Sequence, residues 1–129
     1  NDKIIDVIVS DHKPEDEESK RLTFAQAATG ASGIETLLPL SLELYHNESV
    51  KLETIIRALT SNPAKILNIT KGNMSLGNDA DFCVVDIEKP WIVKKDELIS
   101  KSKNTSIEGK KLQGKVMNTF VKGVELFKL

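Results

Sequence analysis

An aspartate and a histidine that directly follow an apolar run are the residues of this sequence best placed to do chemistry. Residues 4–9 form a nearly continuous β-branched run, and Ser10-Asp11-His12 comes immediately after it. Such a run is typical of a parallel strand buried on both faces, and (β/α)8 barrels carry their reactive groups at the C-terminal ends of such strands. A carboxylate at Asp11 can there ligate a metal ion or transfer a proton. The alternative interpretation is an aspartate that caps a helix or stabilises a turn.

The other reactive side chains do not indicate a second site. His12 and His46 are the only histidines, and two cannot build a closed zinc site within this chain. We interpret His46 as a solvated residue at a helix end and Cys83 as an inert core residue. Residues 94–115 are rich in lysine, but they include acidic residues and few aromatics. This pattern favours a solvated surface over a nucleic-acid site.

The composition is that of an ordinary globular chain. Of 129 residues, 40% are apolar and 29% are charged, and 18 basic against 19 acidic residues give a net charge of −1. This balance argues against nucleic-acid binding through bulk charge, and no apolar run is long enough to span a membrane. A single cysteine excludes an internal disulfide and fits a cytoplasmic location. The absence of an initiator Met before a buried strand predicts that residue 1 lies inside a longer polypeptide.

Three helices are predicted in the first half of the chain. A polar loop over residues 13–21 precedes a helix over 34–45, for which Ser32 and Glu35 fit a capping box. Pro39 should kink this helix or move its start later. Apolar spacing predicts a second helix over 52–61, and Asn62-Pro63 predicts the cap and first position of a third over 63–69.

Short strands are predicted after residue 80. The pattern indicates strands at 82–85, 91–93, 116–121 and 124–127, with a helical turn near 96–100 and a tight turn at Lys122-Gly123. We expect one apolar cluster made by Phe82, Val84, Trp91, Val116 and Phe120. A buried strand followed by helices and then a cluster of short strands is not one self-contained α/β layer pattern; it predicts the end of a barrel joined to a separate small β element. With only this chain present, the strand at 4–9 should lack partners.

Short motifs in a fixed order run through nearly the whole chain. They begin with Ser10-Asp11-His12-x-Pro14, Lys20-Arg21, Gly30-x-x-Gly33-Ile34-Glu35-Thr36 and Leu38-Pro39-Leu40, continue with Ser61-Asn62-Pro63-Ala64 and Gly77-x-x-Ala80-Asp81-x-x-Val84-Val85-Asp86, and end with Gly109-x-x-Leu112-x-Gly114-x-Val116 and Thr119-x-Val121-x-Gly123. Together they resemble the C-terminal third of dihydroorotases, in the amidohydrolase superfamily. The later motifs indicate only the superfamily, whereas Asp-His-x-Pro with Gly-Ile-Glu-Thr is more specific to dihydroorotase and its close cyclic-amide relatives. The resemblance implies an α/β fold: the last strand and helices of a (β/α)8 TIM-like barrel over 1–71, and part of a small β-sandwich over 72–129.

The resemblance implies a cytoplasmic enzyme of pyrimidine biosynthesis that closes N-carbamoyl-aspartate reversibly to dihydroorotate with the help of zinc. By motif match, Asp11 would be both the proton-transferring residue and a metal ligand, and the other ligands would come from earlier strands of the barrel. The implied substrate-binding residues are His12, Glu15, Arg21, Gly30 and Gly33. Many family members carry histidine where this chain has Glu15. A carboxylate there would repel an anionic substrate if it pointed inward. Either this chain grips the substrate carboxylate differently, through His12 or Arg21, or Glu15 points outward, or substrate use has changed.

The resemblance also implies partners and leaves alternatives open. The missing N-terminal part of the barrel is one implied partner, and a second copy of the chain or aspartate transcarbamoylase is another. One alternative function is a related cyclic amidase of the dihydropyrimidinase or allantoinase type. The other is a dihydroorotase-like chain that has lost its metal ligands and serves aspartate transcarbamoylase as a structural partner.

Overall fold

Helices come before strands along the chain, as a computed structural model covering residues 4–129 describes it. The first three residues of the predicted 1–71 segment lie outside the described residues. The elements are α1 (Glu17–Lys20), α2 (Leu37–His46), α3 (Leu52–Leu59), α4 (Ser61–Ile66), β1 (Phe82–Ile92), a 3-10 turn at Lys95–Glu97, β2 (Lys111–Val121) and β3 (Val124–Lys128). The expected mixed α/β composition is confirmed. Among the described residues, no helix is long and apolar enough to cross a membrane.

The three strands form one antiparallel sheet in the order β1-β2-β3. The predicted separate strands at 82–85 and 91–93 are one strand, whose pairing with β2 slips between Asp86 and Pro90. The Asp86 carboxylate accepts hydrogen bonds from the N–H groups of Glu88 and Lys89, each at 3.1 Å, and so satisfies the backbone within the bulge. Pairing resumes at Pro90. The interruption between Asp86 and Pro90 explains why the sequence pattern indicated two strands. The predicted turn at Lys122-Gly123 is confirmed.

The core lies where α2 packs against the sheet. Leu42 is fully buried, and Gly114 of β2 lies opposite it with φ of 102°. A Cβ at Gly114 would lie 2.4 Å from Leu42 Cδ1, so only glycine lets helix and strand approach this closely. Trp91 donates its indole N–H to Gly114 O at 3.1 Å, which closes the same junction. The buried apolar residues are Leu42, Ile55, Ala58, Ala64, Val93, Leu98 and Leu112.

Helices α2 and α4 begin at other residues than predicted, because the polar side chains expected to cap them form hydrogen bonds elsewhere. Ser32 and Glu35 form no capping box, and α2 begins at Leu37, so Pro39 occupies the first turn, where no intrahelical N–H bond is needed. The later start that Pro39 suggested is confirmed. Helix α4 begins at Ser61, and Asn62 does not cap it, since its side chain donates to Asp6 O at 2.8 Å.

The segment before α2 has little regular structure. Residues 4–10 form no strand, and Ile4, Ile5 and Val9 are each more than two-thirds exposed. The strand prediction is therefore wrong for the described chain, whereas the expectation that this segment would lack strand partners is confirmed. Its backbone is tied to α3 by the bond from Ile8 N–H to Ala58 O at 3.1 Å. The polar loop contains one unpredicted helical turn, α1, which Asp16 caps through Ser19 N–H at 2.8 Å.

The predicted apolar cluster of the sheet divides in two. Phe82 and Phe120 pair across the strands with their rings stacked 4.6 Å apart. Trp91 and Val116 instead line a cavity beside the start of α2. Val84 is 46% exposed, so its place in the cluster was wrong. Cys83 is also exposed in the described chain, contrary to its prediction as a core residue, because nothing in residues 4–129 covers that part of β1.

Candidate active site

Asp11 lies in a cleft between the first segment and the loop before α2. Its φ of 44° is in the left-handed region, which aspartate tolerates better than most residues. The residue is exposed, and the hydrogen bonds and ion pairs within residues 4–129 include none made by its carboxylate. Gly30, Ser32, Gly33 and Thr105 line the same cleft. The carboxylate is therefore free to meet a ligand in this cleft.

His12 ties the first segment to this loop. Its Nδ1 accepts hydrogen bonds from the N–H groups of Gly33 at 3.1 Å and Ile34 at 3.2 Å. A ring nitrogen that accepts carries no proton, so the imidazole is neutral with its hydrogen on Nε2. A parallel bridge between His12 and Ala31 extends the connection, and Lys13 N–H donates to Ala31 O at 3.1 Å. The ring therefore positions the loop, and its Nε2–H has no hydrogen-bond partner among residues 4–129.

The loop of residues 30–33 depends on glycine and is held from two further sides. Gly30 has φ of 132°, and a Cβ there would lie 2.4 Å from Lys13 O. Gly30 O accepts hydrogen bonds from Lys20 Nζ at 2.9 Å and from Asn104 Nδ2 at 3.2 Å. Sequence reasoning missed both donors. Lys20 had a signal in its motif, whereas Asn104 lies in the lysine-rich stretch read as plain surface.

Two of the predicted substrate-binding residues lie away from the Asp11 cleft. Glu15 forms an ion pair with Lys13 at 3.2 Å and lines, with His12, a neighbouring cavity. Arg21 is exposed directly after α1 and pairs with Glu17 at 3.2 Å and Glu18 at 2.9 Å. The structure thus brings Asp11, His12, Gly30 and Gly33 together, places Glu15 beside His12, and leaves Arg21 apart. Their roles in binding substrate stay predictions.

His46 is not the solvated residue that the sequence predicted. Its side chain is 16% exposed at the end of α2, and its Nε2 lies 3.1 Å from Ile87 O in the β1 bulge. The Glu88 carboxylate lies 4.0 Å from Nδ1. His46 therefore joins the end of α2 to the sheet, and it does not line the Asp11 cleft.

Comparison with known proteins decides the family. The family described as "Amidohydrolase family" matches residues 1–126. This chain belongs to the amidohydrolase family. The predicted resemblance is confirmed: a dihydroorotase from Wolbachia sp. subsp. Drosophila simulans (strain wRi) is 42% identical over 124 residues, which are 96% of this chain. Those residues are 28% of that relative, so the chain spans little more than a quarter of the amidohydrolase it matches.

Solved structures agree on the fold. A dihydropyrimidinase from Brevibacillus agri NCHU1002 matches 95% of the amidohydrolase chain and 28% of its own with a TM-score of 0.89, at 20% identity. The inactive dihydroorotase-like domain of a Chaetomium thermophilum CAD-like multifunctional protein matches 73% of this chain and 25% of its own, with a TM-score of 0.57 and 18% identity. At these identities the likeness concerns the fold alone.

Amidohydrolases typically depend on a metal ion, which raises the question of whether side chains of this chain could hold one. Within residues 4–129, no group of three or more His, Cys, Asp or Glu side chains is arranged to hold a metal. A catalytic zinc site takes three protein ligands and leaves one position open. The unpaired Asp11 carboxylate fits the part of a single ligand, and the described residues offer no second one beside it, since His12 Nδ1 is engaged by the loop.

Proposed function

We propose that this chain is part of a dihydroorotase, a zinc-dependent cyclic amide hydrolase that interconverts N-carbamoyl-L-aspartate and dihydroorotate. The observation that carries the proposal is the 42% identity to a dihydroorotase over 96% of the chain, with Asp11 of its most specific motif unpaired in a cleft. Motif and geometry support each other here, because a proton-transferring carboxylate must be accessible to substrate. The 129 residues alone are proposed to be inactive, since they offer one metal ligand.

Asp11 is proposed to act as the general base and acid of the reaction and as a zinc ligand. Zinc, when bound, would polarise the ring carbonyl and make water a better nucleophile. In the hydrolytic direction Asp11 would accept the proton of the attacking water. It would then return this proton to the ring nitrogen as the amide bond breaks. Ring closure runs the same transfers in reverse, so one carboxylate serves both directions.

Substrate is proposed to lie over the loop of residues 30–33. The backbone groups of Gly30 and Gly33 face the Asp11 cleft, and His12 offers its Nε2–H from the adjoining cavity. The Lys13 partner of Glu15 offsets the negative charge that would repel an anionic substrate. Arg21 would have to leave its glutamate partners to reach a substrate carboxylate, so its proposed role demands a rearrangement of α1.

The architecture proposed for the whole protein follows from the family. Residues 1–71 would form the last strand and helices of a (β/α)8 barrel, and residues 72–129 a share of a small β-sandwich. The exposed apolar side chains of Ile4, Ile5 and Val9 support a neighbouring barrel strand on this segment. The proposed partners are the N-terminal part of the barrel, the small-molecule substrate, and a second copy or aspartate transcarbamoylase. A cytoplasmic location without nucleic-acid or membrane partners completes the proposal.

A panel of substrates tests the reaction. Full-length protein containing this chain, supplied with zinc, should hydrolyse dihydroorotate faster than hydantoin, dihydrouracil or allantoin. Preference for hydantoin or dihydrouracil would replace the proposal with a dihydropyrimidinase. A folded, zinc-supplied protein without activity on any of them, but with affinity for aspartate transcarbamoylase, would favour a structural partner.

A further inference from the structure

One asparagine from the far end of the chain holds the loop of residues 30–33 at two points. Asn104 Nδ2 donates to Gly30 O at 3.2 Å, and Asn104 O accepts from Ser32 N–H at 2.8 Å. The two contacts lie on either side of Ala31, the residue that bridges to His12. Asn104 therefore faces the loop from the side opposite to His12, and together the two residues enclose it.

Asn104 belongs to a strap, residues 98–105, that runs from the 3-10 turn toward β2. Ser32 Oγ donates to Ser102 O at 2.9 Å, and Ser102 Oγ donates to Glu15 O. Leu98 anchors the start of the strap, because its side chain is 5% exposed. The strap thus contacts both segments that form the walls around Asp11 and His12, although it contributes no residue of the recognised motifs there.

We propose that Asn104 is a positioning residue that fixes the loop of residues 30–33 in its substrate-binding conformation. This inference rests on the proposed function, in which that loop receives the substrate. Glycines at 30 and 33 give the loop backbone freedom, and freedom must be lost when substrate binds. A loop already held in place loses less entropy on binding, so the affinity is higher. Asn104 supplies that preorganisation while touching neither the substrate nor Asp11.

The chemistry of the amide explains why asparagine suits this position. Its NH2 group donates to a carbonyl while its own backbone carbonyl accepts, so one residue satisfies a donor and an acceptor of the loop. Aspartate has nearly the same shape, but its carboxylate cannot donate to Gly30 O. Asn104→Asp therefore tests donation separately from side-chain volume, and Asn104→Ala removes the side chain altogether.

The test measures the loop and the reaction separately in full-length protein. In Asn104→Ala and Asn104→Asp, amide hydrogen exchange at Ser32 and Gly33 should become faster, and KM for dihydroorotate should rise about 3–10-fold, the effect of one lost net hydrogen bond. Because the chemical step does not involve Asn104, kcat should change less than about 2-fold. The matched control is Asn118→Ala, which removes an asparagine hydrogen bond to Glu125 in the β2–β3 pair, and it should change neither quantity.

Each contrary outcome has a distinct meaning. Unchanged exchange at Ser32 and Gly33 would overturn the proposal, as would faster exchange with an unchanged KM. Equal effects in Asn118→Ala would overturn it too, because they would indicate general destabilisation. Wild-type protein without dihydroorotate hydrolysis would reject the proposed function and, with it, the substrate role of the loop. Faster exchange in that inactive protein would leave only a structural contact.

Discussion

Two regions of this chain, residues 4–36 before α2 and residues 37–129, are ordered by different forces. From α2 onward, apolar burial dominates: Leu42 and Val93 are fully buried and Leu112 is 3% exposed between helix and sheet. Before α2, apolar side chains such as Ile4, Val9 and Phe24 face solvent. The backbone there is held by a hydrogen bond to His12 Nδ1 and by hydrogen bonds from Lys20 and the strap. The packed region, residues 37–129, therefore sets stability, whereas the hydrogen-bonded region, residues 4–36, presents the chemically useful groups.

The difference shows how function and stability are distributed. A region held by polar contacts can place an unpaired carboxylate and glycine backbone in an open cleft, which a close-packed core would not accommodate. Substitutions before α2 should therefore change activity more than stability, and substitutions in the packed region should change stability more than activity. The predictions below test this division, beginning with the largest effect.

Asp11→Asn should lower kcat for dihydroorotate hydrolysis by at least about 10²-fold, because an amide cannot accept the proton. Asparagine tolerates the left-handed φ of this position, so the melting temperature should stay close to that of the wild type. Steady-state kinetics and thermal unfolding of full-length protein are the measurements. Near wild-type turnover would mean that Asp11 is a turn residue without a catalytic role, and it would weaken the distinction between the two regions.

Gly114→Ala should lower the free energy of unfolding by about 2 kcal/mol more than Gly109→Ala does. Both glycines have positive φ, 102° and 77°, so both substitutions strain the backbone. The difference lies in space: a Cβ at Gly114 would lie 2.4 Å from Leu42 Cδ1, whereas nothing lies within 4 Å at Gly109. Urea denaturation of the two variants gives the comparison. Equal losses would mean that Leu42 moves aside and that the junction is not tightly packed.

The smallest effect concerns a surface cluster that joins the loop after α4 to the hairpin turn. The Lys71 ammonium, 2.5 Å away, and Lys122 N–H lower the pKa of the Asp81 carboxyl, and this group contributes stability only while ionised. That contribution is present above the usual aspartate range and disappears as the pH falls through the lowered pKa, below about 4.

Asp81→Asn should therefore unfold at a slightly lower temperature than wild type at pH 7, and the gap should close on acidification. Thermal unfolding across this pH range measures it. Asp79→Asn is a suitable companion, since Asp79 shares Lys71 at 2.8 Å but lacks the bond from Lys122. A gap that is constant with pH would mean that the carboxylate charge contributes nothing here.

The features that the sequence predicted correctly depend on residues that are close together in the chain. The spacing of apolar residues around Ile55 located α3 to within two residues of its end, and the Lys122-Gly123 turn was found from its residue types. Asp11 could be singled out because its position after an apolar run carries information of its own. These signals all lie within a few residues of the feature that they predict.

What could not be predicted depends on residues far apart in sequence. Ser32 and Glu35 have the spacing of a capping box, yet they bond Ser102, Ile99 and Ser100, none of which is near them in the chain. His46 is covered by the β1 bulge through Ile87, a contact that no helical pattern records. The strand at 4–9 failed for the related reason that a parallel strand needs neighbours, and residues 4–129 contain none for it.

The Glu35 contacts also bear on the order in which the chain folds. Its two carboxylate oxygens accept from Ile99 and Ser100, at sequence separations of 64 and 65 residues, each at 3.0 Å. Closing so long a loop costs entropy that the hairpin of β2 and β3 avoids, so these bonds should form after the transition state. Glu35→Gln would then accelerate unfolding and leave the refolding rate nearly unchanged in stopped-flow experiments, and slower refolding would contradict this order. The local hairpin of β2 and β3 would thus form before the long-range contacts of the loop beside the Asp11 cleft.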